Sequence, residues 1–112
     1  IQEYGKGNYV IVGGDWNQCP PDFNPEFKLN PMDNENRMDI ETDYLPEWKW
    51  AYDSKIPTNR RLIAPYNQKT TLTTVIDFFL VSPNIEVKQV QGIYLNFEHS
   101  DHNPVKMEVS LK

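Results

Sequence analysis

The apolar positions of the chain fall in short runs of strand length, separated by stretches rich in polar residues and proline. Residues 9–12 (Tyr-Val-Ile-Val) are followed by two glycines, and residues 76–81 (Ile-Asp-Phe-Phe-Leu-Val) are followed by Ser82 and Pro83. A short apolar run that ends at turn-forming residues is typical of a strand covered on both faces. The pattern therefore predicts two buried strands.

Three further segments place apolar side chains at every second position, which is the period of a strand that buries one face. Residues 48–52 carry Trp, Trp and Tyr in this way, so we expect a strand with an aromatic face. These rings could stack on a base or a sugar, although aromatic residues at this period more often pack in a core or at a sheet edge. Residues 85–90 and 105–111 are predicted to form strands with one solvent-exposed face.

The start of the chain and the stretch after the first strand have other patterns. Residues 1–5 are predicted to form the last turn of a helix, because Gly5 and Gly7 are the residues expected just after a helix C-terminus. Since the chain starts at Ile1 rather than Met, we expect it to be cut from a longer protein. Residues 15–36 are rich in Pro, Asn and Asp and are predicted to form a long loop, a candidate substrate wall or mobile flap.

Composition places the chain among folded proteins of one domain or less. It has 112 residues, of which 38% are hydrophobic and 24% are charged. No apolar run approaches the roughly 20 residues of a membrane-spanning helix, and the first residues lack the pattern of a signal peptide. The single cysteine, Cys19, excludes an internal disulfide, and its Pro-rich surroundings suggest an incidental loop thiol.

The charge of the chain is acidic and unevenly distributed. The formal net charge is -5, which argues against binding nucleic acid through a broad basic surface. Residues 1–56 contain 5 basic and 11 acidic residues, whereas residues 57–112 contain 6 basic and 5 acidic residues. A surface that binds anions is therefore expected in the second half, where Arg60 could clamp a phosphate or could be an ordinary solvated charge.

Asp77 interrupts the second apolar run. A lone carboxylate between Ile76 and Phe78 is costly to desolvate, so we expect it to bond to a specific donor or a cation. The most useful donor in the sequence is His102, which lies just before the last predicted strand. A carboxylate on one ring nitrogen fixes the imidazole tautomer and leaves the other nitrogen facing a substrate. The sequence thus predicts a catalytic pair.

Three further polar residues lie near the ends of predicted strands. Asp15 and Asn17 follow the first predicted strand, and side chains two residues apart can converge on one point, while the glycines before them let the backbone turn and approach a ligand. Asp101 adds a carboxylate next to His102. Carboxylates that leave room for waters and phosphate oxygens favour Mg²⁺ as the cofactor, with Mn²⁺ as the alternative.

Three segments carry these groups, in the order Gly14-Asp15-Trp16-Asn17, Ile76-Asp77-Phe78-Phe79 and Ser100-Asp101-His102. They resemble the last three motifs of the endonuclease/exonuclease/phosphatase superfamily, which are metal-dependent phosphohydrolases with the pancreatic deoxyribonuclease fold. The resemblance implies that residues 1–112 are the carboxy-terminal half of that domain and that the amino-terminal half is absent. It implies an α/β fold, part of a four-layer α-β-β-α sandwich, represented here mostly by β-strands and long loops.

The resemblance also implies a role for each residue. Asp15 would orient or deprotonate the attacking water, and Asn17 would hydrogen-bond the phosphate or the nucleophile. His102, oriented by Asp77, would stabilise charge growing on a phosphate oxygen. Asp101 would help to bind the metal or to position its waters. The family's principal metal-binding Glu and other site residues belong to the absent half.

We therefore expect part of a Mg²⁺-dependent phosphoesterase that hydrolyses a phosphodiester or phosphomonoester by attack of an activated water. The isolated fragment should be inactive and needs the missing half of its own domain as a partner. The substrate would be a phosphorylated small molecule or a nucleic acid, and the acidic balance favours the small molecule. The alternative is a catalytically dead binding or scaffold module of the same fold. A free-standing small β domain is disfavoured, because its edge strands would be left unpaired.

Each candidate also has a structural interpretation. Residues 13–15 could be a turn with an Asx-type cap, Asp77 could be a buried acid bonded to backbone, and Asp101 with His102 could be a surface pair. Residues 33–43 invite comparison with a calcium loop, but the glycine and glutamate that such a loop needs at its sixth and twelfth positions are missing. A solvated acidic loop is the favoured interpretation there.

Overall fold

The computed structural model describes residues 2–24, 38–60, 73–98 and 100–112. Almost all regular structure in these ranges is β, as predicted for a fragment made mostly of strands. The elements are α1 (Gln2–Gly5), β1 (Ile11–Asp15), β2 (Lys49–Ala51), β3 (Asn59–Arg60), β4 (Thr73–Thr74), β5 (Asp77–Val81), β6 (Ile85–Gly92) and β7 (Val105–Leu111). The single turn of α1 ends as the glycines predict, with Gly7 at a φ of 87° and its N–H donating to the Tyr4 carbonyl at 2.9 Å.

The first sheet has the order β1-β5-β2, with both pairings antiparallel. Its centre is β5, where Phe78, Leu80 and Val81 are buried. A strand paired on both sides satisfies its backbone groups while its apolar side chains fill the core, so residues 76–81 form the predicted buried strand from Asp77 onward. At the edge of the sheet formed by β2, Trp50 packs on Phe78 with ring centroids 5.7 Å apart. This contact supports the interpretation that the aromatic face of residues 48–52 packs in the core.

The prediction that residues 9–12 form a strand buried on both faces is wrong. The strand begins at Ile11, and all five residues of β1 are exposed. Ile11 keeps 47% and Val12 keeps 43% of their surface accessible to solvent. The reason is position, because within the described ranges β1 is an edge strand that pairs only with β5.

Glycine is required at the two positions of β1 for different structural reasons. A Cβ on Gly13 would lie 2.6 Å from Cε1 of Phe79, so this glycine makes room for a ring of the neighbouring strand. Gly14 has a φ of 145°, a conformation that residues with a Cβ rarely adopt. Both glycines were expected to allow a sharp turn and the approach of a ligand. The structure instead explains Gly13 by strand-to-strand packing.

The core lies beneath β5 and includes residues of the long predicted loop. The buried cluster comprises Cys19, Phe23, Val75 and Phe78, with Trp16, Ile40, Trp50 and Tyr52 packed against it. Cys19 is therefore not an incidental loop thiol, since it is buried and its Sγ lies 3.2 Å from Oγ1 of Thr74. Residues 16–24 contain no helix or named strand, in keeping with the loop prediction, and the remainder of that loop (25–36) lies outside the described residues.

Strands β6 and β7, which match the strands predicted at residues 85–90 and 105–111, pair antiparallel with each other, with Ile85 opposite Leu111 and Gly92 opposite Val105. A register shift between Val87 and Gln89 marks a β-bulge. The loop between the two strands, residues 93–104, is closed by the Ile93 N–H, which donates to the Pro104 carbonyl at 2.8 Å. This loop carries Asp101 and His102. No helix among the described residues is long and apolar enough to cross a bilayer.

Candidate functional site

The site begins where β1 ends and β5 starts. Asp15 and Asp77 are the terminal cross-strand partners of this pairing, so their backbones are held side by side at one edge of the sheet. The Trp16 N–H donates to the Ile76 carbonyl at 2.8 Å and extends the pairing by one residue beyond the strands. Two of the three predicted segments are therefore brought together by sheet register.

A short stretch, residues 57–60, connects this edge to the third segment, and we call it the bridging segment. On one side it contacts β4 and the start of β5. The Thr58 N–H donates to the Thr74 carbonyl at 2.9 Å, and Thr58 Oγ1 accepts from the N–H groups of Ile76 at 3.0 Å and Asp77 at 3.2 Å. Thr58 is only 1% exposed, so these bonds form in the interior. They fix the backbone from which the Asp77 side chain projects.

On its other side, the bridging segment holds the β6–β7 loop. The Asn103 N–H donates to the Thr58 carbonyl at 2.8 Å, and the Arg60 N–H donates to the Asp101 carbonyl at 2.9 Å. The buried side chain of Asn103 adds a bond from Nδ2 to the Pro57 carbonyl at 2.9 Å. The loop is thus attached next to β5, and His102 is carried to the sheet edge although it is 25 residues from Asp77 along the chain.

His102 lies among three aspartates. Its Nδ1 is 2.7 Å from Oδ2 of Asp77, which is the predicted hydrogen bond. Its Nε2 is 3.9 Å from Oδ2 of Asp15 and 3.9 Å from Oδ2 of Asp101. The Nδ1–H donor to Asp77 leaves Nε2 as the nitrogen that faces the other two carboxylates.

This environment changes the proton affinity of the imidazole. Burial lowers the pKa of His102, but the hydrogen bond to Asp77 and the charges of Asp77, Asp101 and Asp15 act in the opposite direction. Their combined effect raises the pKa of His102 above its ordinary value. The surrounding carboxylates therefore stabilise the protonated form of the imidazole relative to that of an isolated histidine.

Asn17 and Arg60 are tied to the site through their backbones. The Asn17 N–H donates to Oδ1 of Asp15 at 2.8 Å, and Asn17 has a φ of 53°. This is the Asx-type turn considered for residues 13–15, and it holds one carboxylate oxygen of Asp15 in place. Arg60 contributes the backbone bond to Asp101 described above. The roles of the Asn17 amide and the Arg60 guanidinium at a phosphate remain predictions.

Two side chains of this site were not predicted from the sequence. Asn59 places Nδ2 3.3 Å from Nε2 of His102, and Thr58 supplies the oxygen that holds the start of β5. Neither residue belongs to one of the three motifs. The available signal was the Pro57-Thr58-Asn59 triplet, a polar stretch next to a proline, which by itself predicts only a turn.

The site also offers ligand atoms for a cation. One atom each from Asp15, Asp77 and His102 can be chosen so that all three lie within 4.8 Å of one another. Oδ2 of Asp77 already bonds His102, and Asp101 does not belong to this group, although its Oδ2 lies 3.9 Å from Nε2 of His102. Carboxylate oxygens are the ligands that a hard cation prefers. The donor chemistry fits the predicted metal, with Asp101 as the predicted ligand.

Comparison of the chain with protein-family models, with curated proteins and with solved structures finds no match in any of the three.

Proposed function

We propose that the chain is the carboxy-terminal part of a Mg²⁺-dependent phosphoesterase. The observation that carries the proposal is the 2.7 Å bond between Asp77 and His102, with Asp15 at the opposite ring nitrogen. Three short segments, separated by 62 residues and by 25 residues, contribute these groups to one edge of the fold. If Asp101 and His102 were only a surface pair, we would not expect a buried threonine to hold the backbone of Asp77 or an Asx turn to hold the carboxylate of Asp15.

The reaction is hydrolysis of a phosphate ester. Water oxygen forms a bond to phosphorus, and the bond from phosphorus to the ester oxygen breaks. The departing oxygen takes a proton from bulk water and leaves as an alcohol, and the proton removed from the attacking water is released to bulk water. Asp15 orients the water and accepts its proton, while His102 donates from Nε2 to a phosphate oxygen where negative charge increases. Asp77 keeps the imidazole in the required tautomer.

The proposed cofactor is Mg²⁺, with Mn²⁺ as the alternative. Asp101 is the proposed ligand or the residue that positions its waters, and its Oδ2 and that of Asp15 each lie 3.9 Å from Nε2 of His102. When bound, the ion neutralises charge on the phosphate. The principal carboxylate ligand is proposed to come from the half of the domain that precedes this chain.

The proposed architecture is one half of a four-layer α-β-β-α sandwich. Support comes from β1, which exposes Ile11 and Val12 and, within the described ranges, has one strand partner only. A strand with an unpaired edge and apolar exposed side chains is suited to pairing with further strands. The preceding half of the domain would supply them.

A small phosphorylated molecule is the proposed substrate class. A groove of about 430 Å³ is lined by two residues that follow Asp15, by the segment before β2 and by one residue of β2: Trp16, Gln18, Met38, Asp39, Ile40, Glu41, Tyr44 and Trp50. Two carboxylates in this lining disfavour a polyanionic nucleic acid strand. Aromatic walls suit a compact organic group.

The test uses the full-length protein that contains the chain. With Mg²⁺ present, it should hydrolyse bis(p-nitrophenyl) phosphate or p-nitrophenyl phosphate, and excess EDTA should abolish turnover. Asp15→Asn and His102→Ala should each lower kcat by about 10²-fold or more, the usual contribution of a positioned acid or base. Asp43→Asn, which neutralises an exposed carboxylate outside the site, is the matched control and should retain activity.

The outcomes separate the two candidate functions. Wild-type turnover in both Asp15→Asn and His102→Ala would refute the catalytic site. Binding of the esters without hydrolysis in the full-length protein would favour the binding or scaffold module instead. The 112-residue chain alone should be inactive, because the remaining metal ligands are proposed to lie outside it.

A further inference from the structure

The groove of about 430 Å³ described above is walled by two chain segments that pair through their backbones. The Cys19 N–H donates to the Met38 carbonyl at 2.7 Å, and the Ile40 N–H donates to the Cys19 carbonyl at 2.9 Å. Cys19 and Asp39 accordingly form an isolated parallel bridge. This pairing fixes the spacing of the walls, so the groove is preformed, as small-molecule sites usually are. We call it the acidic aromatic groove.

Three aromatic rings in the lining are inclined to one another. Trp16 and Trp50 have ring centroids 5.1 Å apart at an interplanar angle of 75°, and Tyr44 lies 6.1 Å from Trp50 at 37°. Rings that are not parallel cannot both stack on one flat nucleobase, whereas they can surround a rounded group. The indole N–H of Trp16 donates to the Phe78 carbonyl at 3.0 Å, so this ring offers the groove carbon surface rather than a hydrogen-bond donor.

The charge of the lining is negative. Asp39 and Glu41 contribute carboxylates, and the described residues that line the groove include no lysine or arginine. Burial raises the pKa of Tyr52, which packs in the neighbouring core, and the charges of Asp22 and Asp39 raise this pKa further. The negative potential therefore extends beyond the groove itself. A positively charged group is attracted to such a surface and an anion is repelled.

We propose that the acidic aromatic groove binds an organic cation of the alkylammonium class. A positive charge over the face of an aromatic ring is attracted by the ring quadrupole, and tryptophan is the strongest aromatic partner. The alkyl groups of such a cation contact the rings, while the carboxylates of Asp39 and Glu41 balance its charge. Inorganic cations lack this apolar surface. The inference goes beyond the proposed function, because binding in the groove needs neither His102 nor a metal.

The experiment titrates the full-length protein with tetramethylammonium chloride and follows the indole ¹⁵N–¹H resonances by NMR. The resonances of Trp16 and Trp50 are assigned by their loss in Trp16→Phe and Trp50→Phe, and both should shift. Two controls separate charge from shape and from ionic strength. Sodium chloride at the same ionic strength and tert-butanol, an uncharged molecule of similar size, should leave both resonances nearly unchanged.

Variants at exposed positions test the ring and the charge separately. Tyr44→Leu keeps an apolar side chain but removes a ring that is 54% exposed, and it should weaken tetramethylammonium binding about 2- to 5-fold. Glu41→Gln should weaken it about 2- to 5-fold, and Glu41→Lys, which reverses the charge, about 4- to 25-fold. Asp43→Asn removes an exposed carboxylate that does not line the groove, so this control should bind as the wild type does. Urea unfolding checks that each variant is folded.

The outcomes keep this inference separate from the proposed function. Equal binding of tetramethylammonium and tert-butanol, or wild-type affinity in both Tyr44→Leu and Glu41→Lys, would refute the cation site. Ester hydrolysis without any shift of the two indole resonances would refute the cation site and leave the phosphoesterase proposal standing. Binding of tetramethylammonium by a full-length protein that hydrolyses no ester would do the reverse.

A pair of esters identifies the source of the cationic group. One p-nitrophenyl phosphodiester carries a trimethylammonium ethyl group, and the other carries the uncharged 3,3-dimethylbutyl group of the same shape. Faster hydrolysis of the charged ester, with the preference lost in Glu41→Lys, would show that the cation belongs to the substrate. Equal hydrolysis of the two esters by a protein that binds tetramethylammonium would show that the groove holds a separate cationic ligand. Both results support the cation site.

Discussion

The hydroxyl of Thr58 is predicted to be essential for the geometry of the site. Replacing Thr58 with Val keeps the shape of the side chain but removes the oxygen that accepts from two backbone N–H groups at 3.0 and 3.2 Å. Because Thr58 is 1% exposed, water cannot readily replace that oxygen. Each unsatisfied buried donor costs about 1–3 kcal/mol, and since the two donors share one acceptor we expect a total of about 2–4 kcal/mol. The melting temperature should fall on the order of 10 °C.

Urea-induced unfolding, followed by the fluorescence of the three tryptophans, measures this loss. Thr58→Ser is the matched control, because it keeps the oxygen and removes one methyl group, at about 1 kcal/mol. The reasoning is refuted if Thr58→Val unfolds at the same urea concentration as the wild type. It is equally refuted if Thr58→Ser is as unstable as Thr58→Val, since the effect would then come from the methyl group.

Two further outcomes concern stability. Gly13→Ala should destabilise the fold by about 1–3 kcal/mol, because its Cβ would lie 2.6 Å from the Phe79 ring, whereas Gly5→Ala, with nothing within 4 Å, should unfold nearly as the wild type does in the same urea titration. His102, whose pKa is raised in the folded state, should stabilise the fold fully below its ordinary pKa of 6.5 and lose that contribution as the pH rises through the raised value. The unfolding free-energy difference between the wild type and His102→Gln should accordingly shrink with rising pH, and growth of that difference would contradict the assignment.

The strand pattern was predictable because periodicity reports which faces of a strand are apolar. Periodicity identified β5 as a buried strand and identified β6 and β7 as strands, but it did not predict that β6 and β7 pair with each other. It could not identify β1 as exposed, since the same apolar run fits a covered strand and an edge strand that lacks a neighbour. Cys19 was misplaced for a similar reason, because proline-rich surroundings predict a loop but do not reveal that the loop packs beneath β5.

The site was predictable where single residues have a demanding chemistry. Asp77 within an apolar run required a donor, and the structure places His102 there at 2.7 Å. Thr58 and Asn59 could not be found in the same way. Their contacts arise only when the bridging segment pairs with the β6–β7 loop, and this pairing leaves no periodic or compositional pattern in the sequence.

The central claim is that Asp77 acts on the reaction only through His102. The most direct measurement is kcat/KM for a phosphate ester in the full-length wild type, Asp77→Asn, His102→Ala and the double variant. Asp77→Asn should lower kcat/KM in the wild-type background, and in the His102→Ala background it should change kcat/KM by less than about 3-fold. An undiminished effect of Asp77→Asn in the absence of the imidazole would contradict the account.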